Sequence, residues 1–266
     1  MLVSDIIQAL LRWAHIIAGI TWIGHLFFFN WVNGSFTAAL DAATKKNVVP
    51  ELMPRALYWF RWGAAWTWFT GVGLLVVVFY HGKMMFDPGV GWGTGAFVML
   101  AVTFLSPLIY DPIAKSGLAK SGSTMFWTGV VLSTALLAAY VMFGEFTYRA
   151  AVIHVGATFG TLMAFNVWYR IWPAQQKIIP AIKNGEKPDA ALAGLAGLRS
   201  KHNTYMSIPL VWAMINQHTA ASFNAPEMGS IAVGDAYLPL SFTGAVIIGW
   251  WFCAWCYKKG AAVKGF

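Results

Sequence analysis

Charge is what this sequence has least of. Of its 266 residues only 11% are Asp, Glu, Lys or Arg, and just 10 are acidic. Soluble domains carry about a quarter of their residues charged, so a water-soluble globular protein of this length is excluded. Cysteine is almost as scarce. Cys253 and Cys256 are the two present, too few for a disulfide-stapled scaffold. Their CxxC spacing is followed by Tyr257 rather than His, which excludes a c-type heme attachment at that point. There is no HExxH, no phosphate loop and no Ser/His/Asp order that the spans would bring together. Chemistry in such a chain belongs to a cofactor. Internal repeats and low-complexity tracts are absent as well, so the expectation is a single membrane domain over residues 1–266.

Apolar residues fill the space that charge leaves. They make up 58% of the chain, and mean hydropathy is +0.60. Taking apolar runs of about 20 residues as membrane spans places helices near 6–32, 56–80, 92–110, 124–143, 149–172, 204–221 and 239–257. The predicted fold is therefore an all-α, polytopic integral membrane helical bundle of seven transmembrane helices. The first run is too long, too aromatic and too poor in early positive charge for a cleavable signal peptide, and is expected to stay as helix one.

Loop charge orients the bundle. If the spans alternate, fourteen of the 18 Lys and Arg fall on one side, and two, Lys83 and Arg149, on the other. The positive-inside rule then puts the N-terminus outside and the C-terminus inside. The net charge of +8 needs no nucleic acid, because the basic residues lie beside spans, where anionic lipid attracts them. Segment 173–203 is expected to be a cytoplasmic connector lying on the membrane surface. Outer loop 222–238 carries Glu227 and Asp235 and no basic residue, a face that suits a cationic partner such as a soluble c-type cytochrome.

Six histidines stand against this apolar background, and His15, His25, His154 and His218 lie inside or at the rims of spans. Ionisable groups in a bilayer mark function. Counting about 1.5 Å of rise per residue, His15, His154 and His218 fall in one outer-half layer on three different helices. Such a set suits two axial ligands of a heme b iron plus one further imidazole. His25 follows His15 by ten residues, about 15 Å along the helix and roughly 80° around it, so the two cannot share a metal. His25 and His202 together would instead serve a second heme in the inner half, or His202 is a solvated cap or loop histidine. Gly156 and Gly160, in HVGATFG, would clear room for a porphyrin edge or let helices pack closely. Arg12 and Arg149 would pair with heme propionates or an anionic substrate, or snorkel to the interface. Arg61 and Asp111, near the inner ends of helices two and three, are expected to pair with one another. Trp13, Trp22, Trp62 and Trp66 would flank a flat cofactor or serve as packing, and His81 reads as a surface residue.

Several blocks carry a family resemblance: RWAHIIAGITWIG on helix one, PELMPRALYWFRWGAAWTWFTG into helix two, IYDPIAKSG after helix three, YRAAVIHVGATFGTLMAFNVWYRIWPAQQK on helix five and SKHNTYMSIPLVWAMINQH on helix six. Together they resemble the membrane domain of the bacterial cytochrome-c-linked urate oxidase (urate hydroxylase) family, over most of the chain. The resemblance carries His15, His154, His202 and His218, while His25 is an addition of this sequence. It implies oxidation of urate to 5-hydroxyisourate in the bacterial inner membrane, with electrons passed to a periplasmic c-type cytochrome. In the family that cytochrome follows an eighth helix. The sequence shows neither an eighth helix nor CxxCH, so the electron exit is expected to be a separate protein or not to exist. The run HIIAGITW also resembles small membrane heme proteins, including a bacterial protoporphyrinogen oxidase, with a ligand His on the first helix.

The leading expectation is thus a heme-b membrane oxidoreductase of the urate oxidase type, with one or two hemes and an anion-sized pocket near Arg12, Arg149, Asn216 and Gln217. Its catalytic residues are not specified by the sequence. The alternative is a non-catalytic mono- or diheme electron-transfer or anchoring subunit of a larger respiratory assembly, which His25 favours. A transporter would need broken helices meeting at the midplane, and Pro107 and Pro209 are the only hints of that.

Overall fold

The computed structural model describes residues 2–116, 122–216, 231–233, 236–238 and 240–263. Its elements in chain order are α1 (Leu2–Phe27), a π-helical turn (Phe28–Asn33), α2 (Gly34–Ala39), α3 (Ala42–Leu74), a second π turn (Leu75–Tyr80), α4 (Thr94–Lys115), α5 (Gly122–Met142), α6 (Tyr148–Asn166), a third π turn (Val167–Ile171), α7 (Trp172–Asn184), α8 (Ala190–Asn216), strands β1 (Ile231–Val233) and β2 (Ala236–Leu238), and α9 (Leu240–Ala262). The two short strands pair antiparallel, Ile231 opposite Leu238. The rest of the architecture is helical.

Five stretches of these helices are long and apolar enough to cross a membrane: Val3–Ala39, Ala42–Tyr80, Thr94–Lys115, Gly122–Met142 and Tyr148–Asn184. They coincide with the first five expected spans, all but residues 92, 93 and 143 of which they include. The sixth and seventh expected spans fall on α8 and α9, and residues 217–221 and 239 of them lie outside the described residues.

Helix ends follow local chemistry. Asp41 opens α3 by accepting the backbone N–H of Thr44 at 3.0 Å and its hydroxyl at 2.7 Å, satisfying a donor that the first turn leaves unpaired. α3 therefore starts fourteen residues before the 56 expected for helix two, and runs through Lys45, Lys46, Glu51 and Arg55. Thr147 caps α6 through Ala150 N–H at 3.1 Å. At the end of α7, Gly185 takes the left-handed conformation (φ 77°) and Glu186 N–H closes back on Ala181 C=O at 2.8 Å, the usual glycine stop. Segment 173–203 is thus two helical stretches, on α7 and the start of α8, joined by a short turn. Ala174 and Ile178 on α7 meet Ala196 on α8, with Ile182 and Leu192 packed alongside. That apolar seam makes the extension a hairpin.

Polarity runs inside out. On α1 Ile6, Leu10, Trp13, Ile17 and Ile20, spaced four and three apart, are more than half exposed. Buried positions, by contrast, hold Thr67, Thr103, Ser133, Thr158 and Asn203. A continuous exposed apolar stripe of this size marks a contact surface rather than a solvated one. On α3 the buried residues Val49, Met53, Ala56, Leu57, Phe60, Gly63, Ala64, Thr67 and Thr70 follow the 3.6-residue period and form one face. In α6 the six consecutive residues Ala150–Val155 are all buried. Helix α6 is enclosed on every side.

The chain divides into two compact units. One comprises Met1–Gly71, Met163–Met206 and Phe252–Phe266, the other Val72–Leu162 and Ser207–Trp251. In the first, Gly63 lets α3 close on Trp22 of α1, since a Cβ there would sit 3.1 Å from the Trp22 nitrogen. Polar side chains knit the same unit. Asn203 donates to Met163 C=O at 3.0 Å and accepts from Asn166 at 2.8 Å. Asn30, in the first π turn, donates to Ser200 and accepts from Tyr257, each at 2.8 Å. In the second unit Gly129 receives the ring of Trp250.

Candidate functional site

His15 sits on α1 in the first unit, partly buried, with Nδ1 3.1 Å from Thr70 Oγ1. Thr70 has one hydroxyl proton, and its oxygen lies 2.6 Å from Trp66 C=O, four residues back. With that proton on the carbonyl, Thr70 can only accept from the imidazole. Nδ1 therefore carries hydrogen and Nε2 is left as the lone-pair nitrogen. Gly71 provides the space, because a Cβ there would approach His15 Cε1 to 3.0 Å.

His25, ten residues on, is set the same way. Its Nδ1 is 2.7 Å from Thr21 C=O, so Nδ1 donates and Nε2 again remains. Orientation of an imidazole by a second-shell acceptor is the usual preparation for a metal ligand. His15 and His25 therefore fit a heme iron by donor chemistry. His202 lies in α8, half-buried between Lys201 and the buried Asn203. Among the described residues no three His, Cys, Asp or Glu gather as a metal cluster.

His154, on α6 in the second unit, differs. It is fully buried, with Nδ1 2.7 Å from Ala150 C=O and Nε2 3.1 Å from the Tyr80 hydroxyl. The rings of Phe79, Tyr80, Tyr140 and Phe146 surround it with centroids 5.0–6.2 Å away. Both nitrogens are engaged, and an iron at Nε2 would have to displace Tyr80. Below it, Tyr140 Oη reaches Thr103 Oγ1 at 2.6 Å and Thr158 Oγ1 at 2.9 Å. Tyr80 ends the second π turn, where His81 N–H bonds Val76 C=O five residues back. Single π turns concentrate at functional positions.

Gly156 and Gly160 face α8: a Cβ at Gly156 would lie 3.1 Å from Ala213 Cβ, and one at Gly160 3.5 Å from Leu210 Cδ1. They admit a neighbouring helix. Arg12 is half-buried, and Arg149 has a buried Nε without a hydrogen-bond partner among the described residues. Asn216 is buried, whereas Gln217 and His218 lie outside the described residues. Arg61 and Asp111 each have a partner of their own: the guanidinium lies 4.0 Å over the Trp172 ring, and Asp111 holds Lys115 at 2.6 Å. Of the four deep tryptophans only Trp22 is buried; Trp13, Trp62 and Trp66 face outward. His81 is exposed, as expected. Thr70, Tyr80 and Tyr140 are the site residues that sequence reasoning missed.

Fold and site define an all-helical protein with membrane-length spans, built around oriented, buried or half-buried imidazoles. The chain belongs to the urate oxidase N-terminal family, whose model matches residues 1–47 and 40–259. No curated protein and no solved structure matches it.

Proposed function

We propose that this protein is a heme-b oxidoreductase of the urate oxidase type, embedded in a bacterial inner membrane through seven spans with the N-terminus outside. It takes electrons from a urate-like reductant and passes them to a c-type cytochrome on the outer face. The observation that carries this reading is the family match, which spans nearly the whole chain. The inside-out polarity of α1 and the oriented imidazoles support it.

His15 would hold the iron through Nε2, with Thr70 fixing the ring and Gly71 clearing its edge. When bound, the heme supplies one-electron transfer at a potential set by its ligands and surroundings. The protein's own part is to orient the imidazole, exclude water with apolar helices and hold an anion. A guanidinium suits a planar oxyanion because its donors form a rigid fork, so Arg12 and Arg149 are the proposed electrostatic contacts for propionates or substrate. His218 is the further imidazole proposed for the same chemistry.

The test follows urate loss and cytochrome c reduction together in membranes carrying the protein. Urate-dependent reduction that disappears in His15→Ala supports the proposal. Urate left intact with an excess of oxidised cytochrome c refutes the catalytic part.

A specific observation favours a second reading, an electron-transfer or anchoring subunit with two hemes. Thr21 orients His25 as Thr70 orients His15, and His202 belongs to the same unit. Two hemes per chain without urate turnover would select it.

A further inference from the structure

We propose that Tyr80 and His154 form a redox-active tyrosine site, with Trp92 as its outlet to the protein surface. This goes beyond the oxidoreductase reading and assigns His154 a proton rather than an iron.

Three features of the second unit carry it. First, the Tyr80 hydroxyl lies 3.1 Å from His154 Nε2, while Nδ1 is committed to Ala150 C=O at 2.7 Å. The backbone carbonyl accepts only, so Nδ1 holds hydrogen and Nε2 is the acceptor for the phenol proton. Second, the pair is enclosed by Phe79, Tyr140 and Phe146, and His154 has no exposed surface. A tyrosyl cation is not sustained in such a place; the phenol can lose an electron only if its proton has a partner within hydrogen-bond reach. Third, the Trp92 ring meets Tyr80 with centroids 5.9 Å apart and is 44% exposed. Trp and Tyr are the side chains that carry a one-electron hole, and these two adjoin.

The step balances. A high-potential one-electron oxidant takes an electron from Tyr80, and the O–H proton passes to His154 Nε2. The products are a neutral phenoxyl radical and an imidazolium whose Nδ1–H remains on Ala150 C=O. A one-electron reductant acting through Trp92 returns the electron, and the proton goes back to the phenol oxygen.

The experiment uses purified full-length protein and a ruthenium(III) polypyridyl oxidant generated by flash and quencher, followed by freeze-trapped electron paramagnetic resonance. We expect a neutral tyrosyl signal that Tyr80→Phe removes. His154→Gln should cut its formation rate by about 100-fold, the low end of what a positioned base contributes. Trp92→Phe should slow formation while leaving the final signal in place. Burial makes His154→Gln a folding risk, so the decisive measurement needs no substitution. In wild-type protein labelled with ¹⁵N-histidine, the radical should show a nitrogen coupling transmitted through the hydrogen bond. A full-strength signal in Tyr80→Phe, or a radical without histidine coupling, overturns the proposal. Neither result depends on heme content or urate turnover, so failure here is distinguishable from failure of the oxidoreductase reading.

Discussion

Replacing Tyr140 by Phe removes one oxygen from a place where hydroxyl protons are fewer than the contacts they serve. Tyr140 Oη touches Thr103 Oγ1 and Thr158 Oγ1 at 2.6 and 2.9 Å, while those threonines reach Met99 C=O and His154 C=O at 3.0 and 2.9 Å. Three protons cannot fill four contacts, so one of the four is a close approach without a hydrogen bond. In Tyr140→Phe each threonine keeps the bond to its own helix, and the loss is one to two interhelical bonds. Such bonds average about 0.6 kcal/mol within membranes, and the ring itself stays packed. The expected cost is therefore about 1 kcal/mol, far below the several kcal/mol of a buried aromatic truncated to alanine. For a chain of this size that lowers the midpoint of unfolding by about 2–4 °C. Thermal unfolding in mild detergent, followed by tryptophan fluorescence, reads it directly. Thr103→Val should cost a similar amount, and the double variant less than the sum, because the two share a bond. An unchanged midpoint, or strictly additive losses, would refute the proton count.

Gly63→Ala should destabilise by about 1–3 kcal/mol through overpacking, because its Cβ would meet Trp22 N and Cα at 3.1 and 3.2 Å, backbone atoms that cannot rotate away. Gly24→Ala, whose Cβ meets nothing within 4 Å, is the neutral control in the same melt; equal effects would contradict the helix contact. Gly71→Ala drives a Cβ to 3.0 Å from His15 Cε1, so bound heme should fall at unchanged helix content by circular dichroism. Unaltered heme there would remove His15 from the ligand set. The Asp41 carboxyl is held below its ordinary range, first by the Thr44 hydroxyl and then by the Thr44 N–H. A lowered folded value means its contribution is complete above the unfolded value of about 3.9 and is lost as pH falls through the folded one. The protection of Thr44 and Lys45 against hydrogen exchange, taken relative to the intrinsic rate at each pH, should therefore fall at acid pH, and Asp41→Asn should flatten that dependence.

Much of the fold was legible because a bilayer needs long apolar runs, and five of them stand out of the sequence without competition. The readings failed where helices outlast the apolar stretch. Residues 42–55 carry Lys45, Lys46, Glu51, Pro50 and Pro54, which look like a loop, yet Asp41 supplies a cap and the helix runs through them. In segment 173–203 the seam of Ala174, Ile178 and Ala196 is too short to read as a core, so the hairpin was not legible. At the site, His15 and His154 were visible as imidazoles in apolar runs, but their partners Thr70 and Tyr80 are 55 and 74 residues away. A lone Thr or Tyr in a span is ordinarily a back-bonded or interfacial residue. The missed signal was polarity inside apolar runs: Asn30, Thr70, Asn166 and Asn203 all bond across elements or orient an imidazole.

The central claim is a b-type heme held by His15. A redox-difference absorption spectrum of the detergent-purified protein, with a pyridine hemochrome count per chain, tests it most directly. The expected result is a b-type signal at one or two per chain that is reduced by urate and lost or spectrally shifted in His15→Ala. Protein from heme-replete cells that shows no heme, or one untouched by His15→Ala, would contradict it.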